Sequence, residues 1–272
     1  MTSTGDRSLQ VNLFFQRLLL WTYRNLPIRS ILATPLGRSA FERSYIFYKQ
    51  WIEAPGADHL RSFVPKGQWV IDVGANIGFF TDKFASWVSE GGRVIAIEPE
   101  SLNFTRLIDR MRRAGHEQVV IGREVAAAAS DGTLFLARNE DHPGDHSVSD
   151  SAGSPVAARR IDSLVAELGN PPVGMIKIDT QGAEMRTLAG ASETIARCRP
   201  VLVVEVDDAA LRAHNTSAAQ LIDAIAGLDY SFAVLTRNGV EPLSATELRS
   251  RLISESSGYL DVVCRPREHA EG

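Results

Sequence analysis

Two stretches of this 272-residue sequence set residues that can do chemistry at short spacing. The first, DVGANIGFFT (72–81), follows an apolar run and leads into a helical pattern. Glycine permits backbone conformations that a side chain forbids and lets a ligand approach closely. The helix that follows would aim free N–H groups at the same spot. On the next apolar run Glu98 stands 24 residues after Gly74, placed to accept hydrogen bonds from two ribose hydroxyls. The second stretch, MIKIDTQGAE (175–184), is an apolar run that carries Lys177 and ends in Asp179. A buried ammonium needs a partner, and Asp72 or Asp179 would serve. Residues two apart on a strand share a face, so Lys177 and Asp179 point the same way.

The glycine loop separates two cofactor classes. A nicotinamide fingerprint, G-x-G-x-x-G, needs glycine at 74, 76 and 79, but the chain has Gly74, Asn76 and Phe79. The second glycine admits a pyrophosphate and the third allows close helix packing, so a ligand without a pyrophosphate fits better. D-x-G-x-N-x-G instead resembles the pattern of S-adenosylmethionine enzymes. A nicotinamide-dependent oxidoreductase or epimerase is the alternative enzyme reading. A non-catalytic membrane-surface scaffold is an alternative of another class.

These residues need a scaffold that brings strand ends together. WVIDV (69–73), RVIAIE (93–98), QVVIG (118–122), MIKID (175–179), VLVVEV (201–206), YSFAVL (230–235) and YLDVVC (259–264) read as seven strands. Helical stripes lie between most of them: Phe80, Phe84, Trp87 and Val88, then Phe104, Leu107, Ile108 and Met111 with Ser101 as N-cap. Ser217 with Gln220 and Ser244 with Glu247 form capping boxes for two later helices. Continuous apolar strands alternating with helices predict a doubly wound α/β fold around a mostly parallel, seven-stranded, Rossmann-like sheet. ARNEDHPGDHSVSDSAGSP (137–155) breaks the rhythm and reads as either a lid or a disordered insertion.

Charge divides the chain. Residues 1–51 hold seven basic and two acidic residues, +5, and with a whole-chain charge of −4 the remainder carries −9. That balance argues against a nucleic-acid partner. Residues 1–62 are expected to form a helical extension and 63–267 the main domain. Val11, Phe14, Leu18 and Trp21 make an apolar stripe in 9–25, flanked by Arg17 and Arg24. It suits packing on the main domain, a homodimer contact, or an anionic membrane surface. AFERSYIFYKQWIE (40–53) reads as a second helix. Arg17 interrupts the only signal-like run, no run of 18 apolar residues exists, and two cysteines suit a reduced compartment. A cytoplasmic protein, peripheral at the inner membrane face, is the expectation.

DVGANIGFFT, VIAIEPE with Asn103 after it, ASDG (129–132), RRIDSL (159–164), KIDTQGAE (177–184) and VVEV resemble, in order, the FkbM family of S-adenosylmethionine-dependent methyltransferases. The resemblance covers about residues 67–206 and implies a class I methyltransferase fold whose first and fourth strands are neighbours. It further implies an O-methyltransferase acting on a sugar hydroxyl of a polysaccharide, glycolipid or natural product. On that reading the cofactor lies against Asp72, Gly74, Ala75, Asn76, Gly78, Phe79 and Thr81, and against Glu98, Pro99 and Ser101. Asp179 would face its methionine end and hold the amino group, balance the sulfonium or take the acceptor's proton. Many relatives carry Val-Glu where this chain has Thr180-Gln181, so no catalytic acid is assigned at 181. Glu205 could add a second carboxylate. His142 and His146 lie in the long loop, and His146 is the candidate imidazole base. Glu184 is expected to support its helix N-terminus. No third ligand accompanies Asp179 and Glu205, so no metal is expected.

Overall fold

A computed structural model of the chain describes residue 54 and residues 56–88, 91–137, 146–255 and 258–269. The segments 9–25 and 40–53, the extension 1–62 apart from its last few residues, and His142 lie outside the described residues.

The seven expected strands all form. They are β1 (Trp69–Val73), β2 (Val94–Ile97), β3 (Val120–Arg123), then, after a smaller sheet's strands, β8 (Val173–Ile178), β9 (Val201–Asp207), β10 (Tyr230–Thr236) and β12 (Tyr259–Pro266). β11 (Gly239–Leu243) closes a hairpin on β10 and adds an eighth strand at the edge. The order is β11-β10-β12-β9-β8-β1-β2-β3. From β9 to β3 every pairing is parallel, and β12 runs antiparallel between β9 and β10. Sequence order reverses between β1 and β8, where open α/β sheets hold their ligands, outside the strand C-termini.

Strand alternation decides what each face buries. Ile71, Val73, Ile95, Ile97, Ile176 and Ile178 pack with residues of α3 (Ile161–Glu167), α5 (Ser192–Cys198) and α7 (Ala218–Gly227). Asp72, between Ile71 and Val73, turns to the other face, where Thr81 of α1 (Phe79–Trp87) meets it. α2 (Ser101–Arg113) covers Ala75 and Ala96 through Leu107 and Met111. Its N-cap is Glu100, whose carboxylate accepts the Asn103 N–H at 2.8 Å, and not Ser101 as the sequence suggested. The Ser244–Glu247 capping box opens α8 (Ala245–Ser254) as expected.

In its described part the polar stretch 137–155 contributes two strands that the sequence did not suggest. β6 (Ser147–Ser149) and β7 (Ser154–Arg159) flank β5 (Gly132–Ala137), and β4 (Ala126–Ala127) completes a four-stranded sheet, β4-β7-β5-β6. Its apolar face (Leu134, Leu136, Val148, Ala158) packs on Ala183, just past β8. Backbone pairing to β5 orders a segment whose own side chains carry too little apolar surface to predict it. No helix among the described residues is long and apolar enough to cross a membrane.

Candidate active site

The chain leaves β1 through Gly74, whose φ is +76°, in the left-handed region that glycine tolerates. A Cβ there would lie 1.7 Å from the Asp179 carbonyl oxygen. The Asp179 N–H in turn donates to the Val73 carbonyl at 3.1 Å. Glycine is therefore needed for main-chain contact between the ends of β1 and β8.

Within the loop itself most N–H groups are bonded internally. Those of Gly74 and Ala75 both donate to the Ile97 carbonyl at 3.0 Å, and that of Gly78 to Ala75 at 2.8 Å. The Asn76 N–H donates to Glu98 Oε2 at 2.8 Å, and the Ile77 N–H to the Asn76 side chain at 2.7 Å. Asn76 takes φ +49°, and its side chain closes the turn locally. A turn satisfied from within suits a ligand that brings no pyrophosphate.

Glu98 follows β2 and is buried, with Oε1 accepting the Glu100 N–H at 2.9 Å. Burial pushes its carboxyl up to about 7, against the bonds from Glu100 and Asn76 and with the charges of Glu100 and Asp179 adding to the rise. Each oxygen keeps a lone pair beyond its backbone donor, so the group can still accept from a diol.

Lys177 is buried and donates to Asp179 Oδ2 at 2.9 Å, the ion pair expected from the sequence. Burial alone would lower its pKa, but Asp179, Asp72 and Asp261 outweigh burial and raise it, so it stays an ammonium and not a base. Its Nζ lies 4.5 Å from the Phe80 ring centroid, a cation–π contact that closes the cluster from α1. Asp72 sits beside Lys177 in the β1–β8 register and accepts from Thr81 Oγ1 at 2.6 Å.

Beyond Asp179 the TQG turn is fixed by Glu184, the first residue of α4 (Glu184–Gly190). Its Oε1 accepts from the N–H and hydroxyl of Thr180, both at 3.0 Å, and from the Gly182 N–H at 3.1 Å. Burial raises its pKa. Glu184 thus holds the turn as well as the helix start. Gln181 carries what the sequence did not reveal. Its Nε2 donates to Glu205 Oε2 at 2.9 Å and to Asp179 Oδ1 at 3.3 Å, joining two predicted carboxylates. Asp261 of β12 stands opposite Glu205. Strand parity would have found Asp261 had the strand order been known.

The remaining predicted residues divide. Gly78, at φ +85°, caps α1, and Phe79 and Phe80 pack edge to face at 5.1 Å. Pro99 is half-buried between Glu98 and Glu100. Ser101 is exposed and donates to Glu124. His146 directly precedes β6, the outer strand of the small sheet. Among the described residues no group of three or more His, Cys, Asp or Glu side chains is arranged to hold a metal.

A family model described as the methyltransferase FkbM domain matches residues 72–232. No protein of curated function matches the chain. Among solved structures, a methyltransferase FkbM from Methylobacillus flagellatus aligns at 16% identity and TM-score 0.46, over 74% of this chain and 44% of that one. This chain therefore spans less than half of that protein. A putative rRNA-methylase from Clostridium thermocellum aligns at 13% and 0.46, over 78% of this chain and 95% of that one. An O-methyltransferase from Bacillus cereus in complex with SAH aligns at 16% and 0.43, over 78% and 80%. Likenesses of that size speak to neither substrate nor mechanism.

Proposed function

The chain belongs to the FkbM methyltransferase family, with S-adenosylmethionine as cofactor, and from that premise we propose that it methylates a hydroxyl of a sugar-bearing acceptor. The observation that carries this reading is the contact of Gly74 with Asp179, which sets a carboxylate beside the glycine loop and Glu98. The family match displaces the nicotinamide alternative.

When bound, S-adenosylmethionine supplies a methyl group on a sulfonium, and the acceptor oxygen–carbon bond forms as the carbon–sulfur bond breaks, its electron pair leaving on sulfur. Glu98 would hold the cofactor by accepting from its ribose hydroxyls. The Gly74–Gly78 turn, with its bonds satisfied from within, would border the cofactor without contacting a pyrophosphate. Asp179, oriented by Lys177 and Gln181, takes the proton of the attacking hydroxyl. Glu205 supplies a second acceptor for a polar substrate. In this reading 63–267 is the catalytic domain, with His146 at its acceptor side, and 1–62 an extension that completes the acceptor pocket or a homodimer. The apolar stripe flanked by Arg17 and Arg24 in 9–25 suits either packing on a protein surface or, as a second reading, an anionic inner membrane face. Liposome co-sedimentation of the full chain against a chain lacking 1–30 tests that placement, and equal binding sinks it.

Calorimetry with S-adenosylmethionine tests the cofactor half, and absence of binding at high micromolar concentration would refute it. A methyl-transfer screen against glycan and glycolipid acceptors, read by mass spectrometry, tests the acceptor half. Transfer to RNA and not to glycans would overturn it.

A further inference from the structure

The sheet register stacks carboxylates around and beyond Lys177. Lys177 lies between Asp72 on β1 and Val203 on β9, and two residues further along β9 Glu205 stands opposite Asp261. Among the described residues, the carboxylates near Lys177 and Asp179 include Asp72 from β1, Glu98 from the end of β2, Glu205 from β9 and Asp261 from β12. Like charges this close ordinarily drive one carboxyl to take up a proton.

Gln181 stands where that repulsion would act. Its amide nitrogen reaches Glu205 at 2.9 Å and Asp179 at 3.3 Å, while Lys177 occupies the other Asp179 oxygen at 2.9 Å. An amide nitrogen has two hydrogens and no charge, so it can bond two carboxylates at once and leave both ionised. The reach depends on backbone: Gln181 adopts φ +51°, which side chains ordinarily avoid. The turn around it is held by the Glu184 carboxylate on Thr180 and Gly182. Strain at a residue whose side chain joins two functional groups points to a role for that side chain.

We propose that Gln181 is a positioning residue that ties Asp179 and Glu205 into one hydrogen-bonded pair and keeps the Asp179 carboxylate oriented and ionised to accept the acceptor's proton. The inference rests on the methyl-transfer reading and adds a residue to it. Hydrogen bonds to the charged form lower a carboxyl's pKa, so losing the amide should raise both titrations.

The test is a pH titration of the full-length protein with 13C-carboxyl-labelled aspartate and glutamate, using Asp179→Asn and Glu205→Gln only to assign the two signals. In Gln181→Met, which removes the donor at similar volume, both titrations should move up by about one pH unit. In Gln181→Glu, which adds a third carboxylate, they should move further. Two substitutions guard against one failing to fold, and thermal melting verifies both. Titrations unmoved in the folded variants would overturn the proposal. S-adenosylmethionine calorimetry on the same wild-type sample separates the two failures. No binding there sinks the methyl-transfer reading, whereas binding with unmoved titrations sinks only the role of Gln181.

Discussion

Gly74 and Asp179 meet main chain to main chain: a Cβ on Gly74 would sit 1.7 Å from the Asp179 carbonyl oxygen, and Asp179 donates its own N–H to Val73 at 3.1 Å. The contact falls just past the ends of β1 and β8, where the sequence order of the sheet reverses. It fixes Asp179 relative to the loop through backbone, which has less freedom than a side-chain contact. Every other distance in the site inherits that registration.

Gly74→Ala should therefore be among the most damaging single-atom additions to this protein. The new methyl group meets backbone that cannot rotate away, and φ +76° adds strain. A loss of about 3 kcal/mol or more in urea unfolding is expected, with S-adenosylmethionine binding lost by calorimetry. A variant that melts like wild type would show the contact to be looser than described.

Glu98 should make cofactor affinity depend on pH. Its carboxyl is pushed from an ordinary 4.5 to about 7, chiefly by burial, so it is mostly ionised at pH 8 and mostly protonated at pH 6. If ribose hydroxyls donate to the ionised form, affinity should fall about tenfold from pH 8 to pH 6 and stay flat in Glu98→Gln. Folding stability runs the other way. Because the folded state holds this proton to higher pH than the unfolded chain, the contribution is full below about 4.5 and is lost as pH rises to about 7. Urea unfolding of wild type against Glu98→Gln across that window reads the slope, about 1.4 kcal/mol per pH unit at most.

Lys177→Met should destabilise by about 3 kcal/mol, because it leaves Asp72, Asp179 and Asp261 without the cation they surround. Methionine keeps the contact with Phe80, so packing alone does not account for such a loss. Adding Asp179→Asn should recover part of it, since that change removes one of the stranded charges. Chemical denaturation of the single and double variants measures the coupling, and strictly additive losses would contradict the ion-pair account.

Asp72, Glu98 and Asp179 were legible in the sequence because each ends or nearly ends an apolar run, and parallel strands deliver such residues to one crevice. Lys177 was legible because a charge inside such a run demands a partner. What the sequence hid depends on geometry that periodicity does not encode. The Gln181 bridge needs a left-handed residue and a neighbouring β9. Asp261 arrives from β12, which inserts antiparallel between β9 and β10. The small sheet was missed because SVS and SPVAAR have weak strand character and are ordered by pairing to β5 and, for SPVAAR, also to the two-residue β4. The internal bonding of the glycine loop, whose N–H groups go to Ile97, Ala75, Glu98 and Asn76, was likewise not legible from spacing.

Arg186 should govern the small sheet without governing the fold. Its guanidinium grips both Asp150 oxygens at 2.6 Å, joining α4 to the turn after β6. Both side chains are well exposed, 36% and 67%, so solvent screens the pair and it adds little to global stability. Arg186→Ala should leave the melting temperature within about 2 °C of wild type. Locally the outcome differs, because β6 is a three-residue edge strand bonded on one side only. Amide exchange across 147–159 should then speed up several-fold, while exchange in β1 and β8 stays unchanged. The small sheet packs on Ala183, within the turn that Glu184 holds, so the loosening should extend to residues 180–183 and stop there. Exchange unchanged in 147–159 would mean that the β5 pairing alone holds the sheet, and that the Arg186–Asp150 fork is incidental.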